Sequence, residues 1–369
     1  SILDNLFDMW CALNTVIIFV SSLVLFIKKK WKPSPGFWSI IILNVWILLV
    51  TFKISGFELT PVKSFFSILA LSLLIDTFIK KNKHLINGMM FSFEIVIYSN
   101  FITYILFPHG MYADGLYTTN WLMGYDNSQI KFFLCGAIVA FMYRLINNSK
   151  ARSNCLLAII VASVLFTRVF TALMGLGIIV LMMTVYHFKL FKKLMNPKLF
   201  LILALMVFSS VVLNNSLLDK MELITKYTGK GATLTTRFDI WKITLKMFTK
   251  SPLYGYGWNP TTVRTVQYMN PFATHAHDTY LEYIYQGGIV GLVLFLFIIM
   301  LVVIRISNCK NKKIKSFTSS VILAFLFMML FESYLFPIVY AVYLLLYHCN
   351  EYKEASMKAQ LLSLFGGEK

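Results

Sequence analysis

Long apolar runs alternate with short basic or polar stretches over nearly the whole chain. A membrane-spanning helix needs about 20 mainly apolar residues, and the alternation predicts eleven spans. They cover approximately residues 2–27, 37–57, 63–79, 85–107, 130–147, 153–166, 169–187, 198–214, 279–306, 316–333 and 336–350. The pattern predicts an all-α, polytopic integral membrane protein with about 11 transmembrane helices (10–12) and one large extracytoplasmic loop containing short helices.

The composition agrees with a lipid environment. Of the 369 residues, 58% are hydrophobic and 14% are charged, and the mean hydropathy is +0.71. Such a chain has too little polar surface to cover its cores in water, which excludes a soluble enzyme and a disordered tail. The five cysteines are scattered without any Cys-x-x-Cys or Cys/His cluster, so neither a disulfide nor a metal site is indicated.

The basic residues predict which side of the membrane each end faces. The net charge is +18, and 22 of the 34 lysines and arginines fall on one side if the N-terminus lies outside. Cytoplasmic loops collect Lys and Arg, so the N-terminus is predicted outside and the C-terminus inside. The basic excess therefore requires no nucleic acid as a partner. The N-terminal segment, which opens with Asp4 and Asp8, predicts no cleavable signal peptide.

The spans leave two long extracytoplasmic loops in a single membrane domain, residues 1–369. The first loop is 108–129, and the second, 215–278, is predicted to be the large catalytic loop. Loops of this length are usually functional or disordered. The second holds tryptophans and tyrosines, and its apolar spacing predicts a helix from Arg237 to Phe248.

The strongest local signal is a pair of histidines that leads into the ninth span. His275 and His277 precede Asp278 at a predicted helix N-terminus, where the helix dipole disfavours the protonated imidazole. A neutral His277 could act as a general base, supported by His275 and Asp278, and His275 could instead be the active histidine. The alternative is that both histidines are interfacial residues bonded to the backbone. A zinc site is disfavoured because a third ligand is missing nearby.

Several cations could form an anion site on the same side. Arg168 lies between two apolar runs, and Arg237 lies in the first turn of the loop helix, an unfavourable place for a cation unless an anion binds there. With Arg264, Lys242 and Lys246 they would make a basic pocket suited to a diphosphate, which arginine can hold in a bidentate manner. Arg168 could instead be an arginine that snorkels from a span end.

Aromatic residues surround the histidine segment. Tyr254, Tyr256, Trp258 and Tyr280 have flat amphipathic rings that stack well on sugars. The alternative for these side chains is the aromatic belt found at membrane interfaces.

Taken together, the motifs resemble the bacterial O-antigen polymerase and ligase superfamily, of Wzy and WaaL type. The matching stretch contains an Arg-x-x-x-Trp segment, a Pro-x-x-Gly-x-Gly turn and a His-Asn/Ser-x-x-Leu motif followed by Gly-x-x-Gly. In this chain these are Arg237 to Trp241, Pro252 to Gly257, His277 to Leu281 and Gly288 to Gly291. Asp278 stands where the family usually has Asn or Ser.

The resemblance implies a metal-independent glycosyltransferase without a cofactor, in the bacterial inner membrane with an extracytoplasmic site. Its substrates would be a glycan on an undecaprenyl diphosphate donor and the hydroxyl of an acceptor. Arg168, Arg237 and Arg264 would hold the diphosphate, and His277 would activate the acceptor. A polysaccharide polymerase that joins lipid-linked repeat units is the preferred interpretation, with a flippase and a chain-length regulator as possible partners.

Two other interpretations remain open. An O-antigen ligase would transfer the glycan to lipid A-core or another acceptor; the length of the chain disfavours the protein-glycosylating branch. A lipid-linked oligosaccharide transporter belongs to another class, and it would place its polar groups near the membrane midplane between repeats. The polar residues here concentrate on one external loop instead.

Overall fold

The computed structural model describes residues 2–28, 32–79, 82–114, 117–147, 149–185, 196–213, 231–269 and 273–352. It is mostly helical, and a helix occurs at each of the eleven predicted span positions. In chain order these are α1 Ile2–Lys28, α2 Pro35–Ser55, α3 Leu59–Phe78, α4 Asn82–Leu106, α5 Asp126–Asn147, α6 Lys150–Thr167, α7 Phe170–Val185, α8 Pro197–Val207, α11 Thr279–Ser307, α12 Lys312–Met328 and α13 Pro337–Tyr347. Residues 214–230 of the predicted catalytic loop lie outside the described residues.

Six of the described helices are long and apolar enough to cross a membrane by length and composition. They are α2, α3, α4, α5, α6 and α11. Shorter apolar helices occur at Thr15–Lys28, Thr171–Thr184, Pro197–Ser210 and Pro337–Tyr347. The protein is therefore a polytopic helical membrane protein, and the count of eleven crossings stays a prediction.

The first long loop departs from the all-α prediction. It contains a small antiparallel sheet of β1 Tyr112–Asp114, β2 Tyr117–Trp121 and β3 Gly124–Tyr125, with β2 in the middle. Tyrosine, threonine and tryptophan favour extended backbone, and Gly124 makes the turn into β3 with a φ of 87°. Helix α5 then begins at Asp126, inside the range predicted as loop.

The predicted loop helix is longer than its apolar spacing indicated. Helix α9 runs over Gly231–Lys250, and a short helix α10, Thr261–Gln267, follows. Trp241 on α9 is buried, and its indole N–H donates to the carbonyl of Ala276 at 3.0 Å. The buried face of α9 therefore holds the histidine segment.

Helices α7 and α12 pack in antiparallel fashion, and this pairing shows which helix ends lie near the histidines. Met183 contacts Ser316 at 3.9 Å, and Gly175 packs against Met328. The start of α7 and the end of α12 therefore meet, and the turn after α12 contacts the start of α11 through a 2.7 Å hydrogen bond from the Thr279 N–H to the Met329 carbonyl.

Candidate active site

The histidine segment is a short turn held from both sides. The N–H of the fully buried Ala276 donates to the Glu282 carboxylate at 2.8 Å, while its carbonyl accepts from Trp241. His277 has a φ of 50°, a left-handed conformation that histidine adopts more readily than most residues. The turn brings the rings of His275 and His277 to a centroid distance of 4.0 Å.

The Glu332 carboxylate lies between the two imidazoles and Arg237. One of its oxygens is 3.4 Å from His275 Nε2 and 3.6 Å from His277 Nδ1, and the other is 3.6 Å from the Arg237 guanidinium. Arg237 also donates to the Phe331 carbonyl at 2.7 Å. Although burial alone raises the pKa of Glu332, the nearby His277 and His275 and the positive charge of Arg237 lower it to about 2. Glu332 is therefore a carboxylate at neutral pH.

A set of backbone contacts keeps Glu332 beside the histidines. The Thr279 hydroxyl donates to the Glu332 carbonyl at 2.7 Å and accepts from the Tyr334 N–H at 3.1 Å. Ser333 donates to the Asp278 carbonyl at 3.5 Å. The turn between α12 and α13 is thus bonded directly to the start of α11, across 55 residues of sequence.

The hydrogen bonds assign different roles to the two histidines. The backbone N–H of His277 donates to His275 Nδ1 at 3.1 Å. Nδ1 of His275 therefore carries a lone pair, and its Nε2 carries the proton and directs it toward Glu332. Burial, followed by the neighbouring His277, lowers the pKa of His275 to about 4. His277 Nδ1 faces Glu332 at 3.6 Å without a hydrogen bond, and a proton on Nδ1 would leave the Nε2 lone pair for a substrate proton. His277 is the candidate base, and His275 is a positioning residue.

The same two histidines and Glu332 have the composition of a three-ligand metal site, with their ligand atoms within 4.8 Å of one another. A metal on His275 Nε2 would need a lone pair there, yet the backbone bond to Nδ1 places the proton on Nε2. The hydrogen bonding of this state therefore favours an acid–base cluster over a metal centre.

Asp278 caps α11 and lies apart from the acid–base cluster. One carboxyl oxygen accepts from the Leu281 N–H at 2.8 Å, and the other is buried without a partner among the described residues. Burial raises the pKa of Asp278 well above its usual value, against the opposing effect of the helix N–H groups. A protonated Asp278 resembles the Asn of the family motif, which accounts for the departure noted in the sequence.

Replacing Asp278 by asparagine is expected to stabilise the protein increasingly as pH rises. The unfolded carboxyl loses its proton near pH 4 while the folded one keeps it, so the wild type loses stability above that pH. Asparagine keeps the cap and has no proton to lose. Thermal unfolding in detergent between pH 4 and 8 measures this. A Tm difference that is constant with pH would contradict a protonated Asp278.

Arg264 does not belong to a basic pocket, contrary to the sequence prediction. Its guanidinium makes a bidentate pair with Glu282 at 2.6 and 2.9 Å, and both side chains are about 3% exposed. It also lies 4.1 Å from the ring centroid of Tyr285. Because Glu282 also accepts the Ala276 N–H, the pair fixes the histidine turn. Arg264 is a positioning residue, and its charge is not available to a diphosphate.

Arg168 lies at the same end of the molecule as the cluster. It caps α6 in a left-handed conformation with a φ of 53°, and its side chain is exposed. The antiparallel pairing of α7 and α12 places it beyond the start of α7, at the end where Glu332 follows α12. Within the described ranges, no carboxylate lies within 4.0 Å of Arg168. Its assignment to the diphosphate stays a proposal.

The two lysines lie on α9. Lys242 is partly buried and Lys246 is exposed. Their assignment to the diphosphate stays a proposal.

Three of the four aromatic residues predicted to stack on sugars pack against other side chains of the protein instead. Tyr280 is fully buried and packs against Phe208 and Phe295, so it is closed to a sugar. Tyr254 stacks on Trp46, and Tyr256 stacks on Tyr285. Trp258 is the one of the four that lines a cavity of about 310 Å³, which His275 also lines.

The two glycine motifs are joined to each other by backbone hydrogen bonds. The turn from Pro252 to Gly257 packs against a kink in α11 at Gly288, where φ is 63° and ψ is −157°. Tyr256 and Gly257 donate to carbonyls of α11 at 2.7 and 3.0 Å, and Ile289 donates to Pro252 at 2.8 Å. The turn thereby satisfies backbone groups that the kink releases.

Sequence reasoning missed Glu332 and Glu282. Glu332 is the only charged residue between Lys315 and Glu351, and an acidic residue alone in such an apolar stretch is a functional signal. Glu282 lies four residues after Asp278, in the first turn of the span helix. Their partners could not be identified from spacing, because both pair with distant parts of the chain.

The fold and this cluster define a polytopic membrane protein with a histidine–carboxylate–arginine site at one end of its helices. Residues 132–296 match the family described as O-antigen ligase, which confirms the predicted resemblance to the O-antigen polymerase and ligase superfamily.

Two curated relatives agree with this family. A ComP-specific O-oligosaccharyltransferase of Acinetobacter baylyi is 24% identical over 313 residues, which cover 77% of this chain and 55% of the relative. A protein of Rickettsia conorii named as a polysaccharide ligase is 24% identical over 188 residues, 47% of this chain and 44% of the relative. The chain thus spans about half the length of these relatives. No solved structure matches it.

Proposed function

We propose that this protein is a ligase-type glycosyltransferase. It transfers a glycan from a polyprenyl diphosphate, such as undecaprenyl diphosphate, to an acceptor hydroxyl at the extracytoplasmic face of the bacterial inner membrane. The observation that carries the proposal is the convergence of His277, Glu332 and Arg237. A carboxylate that faces one nitrogen of a histidine and leaves the other open to substrate is an arrangement suited to general base catalysis.

The chemistry follows from the positions of these groups. The acceptor oxygen attacks the anomeric carbon, its proton passes to His277 Nε2, and the bond to the diphosphate oxygen breaks with its electron pair leaving on the diphosphate. Arg237, together with Arg168, would stabilise that developing charge. Glu332 would balance the imidazolium formed on His277. The diphosphate is a good leaving group, so the proposed reaction uses no nucleotide sugar.

The ligase is favoured over the polymerase that the sequence interpretation preferred. The matching family is described as O-antigen ligase, and both relatives carry ligase or oligosaccharyltransferase names. The similarity to an O-oligosaccharyltransferase also returns a protein acceptor to consideration, which chain length had disfavoured. The placement of the polar cluster at the helix ends argues against a transporter, whose binding groups lie near the midplane.

Complementation of cells that lack the native gene tests this function. We expect wild type to move long glycan from its lipid carrier to the final acceptor, and Arg237→Ala to leave long glycan on the carrier. The contact of Arg237 with Glu332 is the physical reason. Glycan size and attachment would be measured at equal protein expression, with Lys250→Ala on the same helix as a control.

Other outcomes would contradict the proposal in distinct ways. Accumulation of single lipid-linked repeats would make the protein a polymerase. Retention of the lipid-linked glycan on the cytoplasmic face would make it a transporter.

A further inference from the structure

A groove of about 470 Å³ lies between the helices α3 and α4. Leu71 and Leu74 line it from α3, and Ile18, Phe132 and Ile338 line it from α1, α5 and α13. Both α3 and α4 are long and apolar enough to cross a membrane, and the residues that they contribute to the groove lie within those candidate spans. The volume falls within the range for ligand sites, roughly 300–1,000 Å³.

The groove reaches the end of the molecule opposite the histidine cluster. Near the last turn of α4, the ring of Tyr104 stacks on Phe166 of α6 at a centroid distance of 4.6 Å. Arg168 follows directly after α6, so the last turn of α4 lies at the cluster end. The first turn of α4, where His84 lines the groove, therefore lies at the far end. The distribution of basic residues predicts that this end is cytoplasmic.

The inside of the groove is suited to hydrocarbon. Among the lining residues that the structure describes, only His84 and Ser92 have polar side chains. The Ser92 hydroxyl already donates to the Gly88 carbonyl at 3.1 Å. A sugar or another polar ligand would leave its hydrogen bonds to water without finding replacements. An apolar chain has no such bonds to lose.

The groove follows α4 for about the depth of one leaflet. Four lining residues recur at intervals of four and form one stripe of this helix, namely His84, Gly88, Ser92 and Val96. A helix rises about 18 Å over the twelve residues from His84 to Val96, and half of the hydrocarbon core of a bilayer is about 15 Å thick. A Cβ at Gly88 would meet nothing within 4 Å, so the glycine keeps the groove open. The length therefore matches a lipid acyl chain in that leaflet.

Contacts on the other side of α3 oppose closure of the groove. The Asp76 carboxylate accepts from the Ser34 N–H at 2.8 Å and from the Ser34 hydroxyl at 2.6 Å, and it lies 2.8 Å from His348 Nε2. These contacts tie the last turn of α3 to the start of α2 and to the residue after α13. Movement of α3 toward α4 would break them. Without a ligand, the walls of the groove would lose dispersion contacts, which an acyl chain restores.

Basic side chains stand where the groove reaches the membrane surface. Lys83 and His84 are both exposed in the first turn of α4, and Lys83 is the first residue of the candidate span. Within the part of the chain that the structure describes, no carboxylate lies within 4.0 Å of Lys83. Basic groups beside a span attract anionic lipid headgroups, and lysine binds phosphate as a point charge. The charge at this end of the groove therefore favours a negative headgroup.

We propose that this groove binds an anionic phospholipid from the leaflet opposite the histidine cluster. One acyl chain lies between α3 and α4, and the headgroup phosphate lies beside Lys83 and His84. Helix α3 also contributes Ser64 and Ile68 to the cavity that His275 lines, so the bound lipid packs against a helix of the candidate active site. The site is separate from the cluster and does not depend on the proposed glycan transfer.

Photolabelling of the full chain in nanodiscs tests the site. The nanodiscs are made of phosphatidylcholine with a small share of phosphatidylglycerol that carries a diazirine on one acyl chain, and labelled residues are mapped by mass spectrometry. Bulk lipid labels every lipid-facing residue in proportion to the probe, so a specific site is identified by saturation and competition. We expect saturable labelling of Phe93, Val96 and Phe132, which line the groove. Unlabelled phosphatidylglycerol should reduce it about tenfold, and added phosphatidylcholine should not.

Two pairs of variants separate the chain site from the headgroup site. Gly88→Phe fills the groove and should reduce the saturable labelling about tenfold. Gly177→Phe is its control, because a Cβ at this helical glycine also meets nothing within 4 Å, and it should label as wild type. Lys83→Gln with His84→Gln changes only exposed side chains, and it should lower the preference for phosphatidylglycerol about threefold to tenfold. Lys150→Gln, exposed at the start of α6 on the same end, should keep that preference.

Several results would overturn the proposal. Labelling of the groove that does not saturate, or that is equal in Gly88→Phe and wild type, would show bulk lipid only. Equal competition by phosphatidylcholine and phosphatidylglycerol would overturn the anionic headgroup. Stronger competition by a polyprenyl diphosphate than by phosphatidylglycerol would make the groove a site for the carrier lipid instead. Each of these results is read without a transfer assay, so failure of the proposed function would leave the lipid site standing.

Discussion

Replacing His277 by glutamine is expected to lower the rate of glycan transfer by about 10²–10⁴-fold, the usual contribution of a general base. Glutamine keeps a polar side chain but cannot take the acceptor proton. Its amide can still donate toward Glu332, so binding of the lipid-linked donor should change little. The measurement is a single-turnover transfer rate with enzyme in excess over a polyprenyl-diphosphate-linked oligosaccharide.

Two other histidines serve as controls for this result. His275→Gln should slow transfer less, because His275 holds Glu332 and the turn without accepting the proton. His109→Gln, at an exposed loop position, should match wild type. If His275→Gln loses all activity while His277→Gln keeps most of it, the roles of the two histidines are reversed.

Replacing Gly288 by alanine is expected to cost about 2–5 kcal/mol of folding free energy. Gly288 has a φ of 63° and a ψ of −157°, and a Cβ there would collide with the backbone of Leu253 and Tyr254. Backbone atoms cannot move aside as a flexible side chain can. Thermal unfolding in detergent should show a Tm lower by roughly 3–6 °C, or a loss of monodisperse protein.

Gly177→Ala provides the matched control. Gly177 lies in α7, and a Cβ there meets nothing within 4 Å. Alanine favours helices more than glycine, so this variant should be as stable as wild type or slightly more. A Gly288→Ala protein with wild-type Tm would show that the turn and the kink are not joined as described.

The buried pair of Arg264 and Glu282 is better explained by its positioning of the histidine turn than by a contribution to folding stability. A buried ion pair contributes little net stability, because desolvation offsets the attraction. Here Glu282 accepts the N–H of Ala276, between the two histidines. The pair therefore fixes the backbone from which both imidazoles project.

The sequence alone determined the helical membrane architecture and the approximate position of the helix at each predicted span, but not the short helix α10. This succeeds because a span must satisfy its backbone hydrogen bonds internally and expose apolar side chains to lipid, so its signal is local. The small sheet of β1, β2 and β3 was missed, because strands of 3, 5 and 2 residues are too short to show a recognisable alternation of apolar and polar residues. The end of α12 before Glu332 was also placed several residues too late.

The sequence likewise singled out His275, His277 and Arg237, since a helix N-terminus and a loop helix can be identified locally. Only the tertiary structure decided that Glu332 joins them and that Glu282 neutralises Arg264. It also decided that Tyr280 is buried while Trp258 lines the cavity. Pairing and burial depend on contacts between segments far apart in sequence, such as Asp278 and Ser333. Local periodicity carries no information about such contacts.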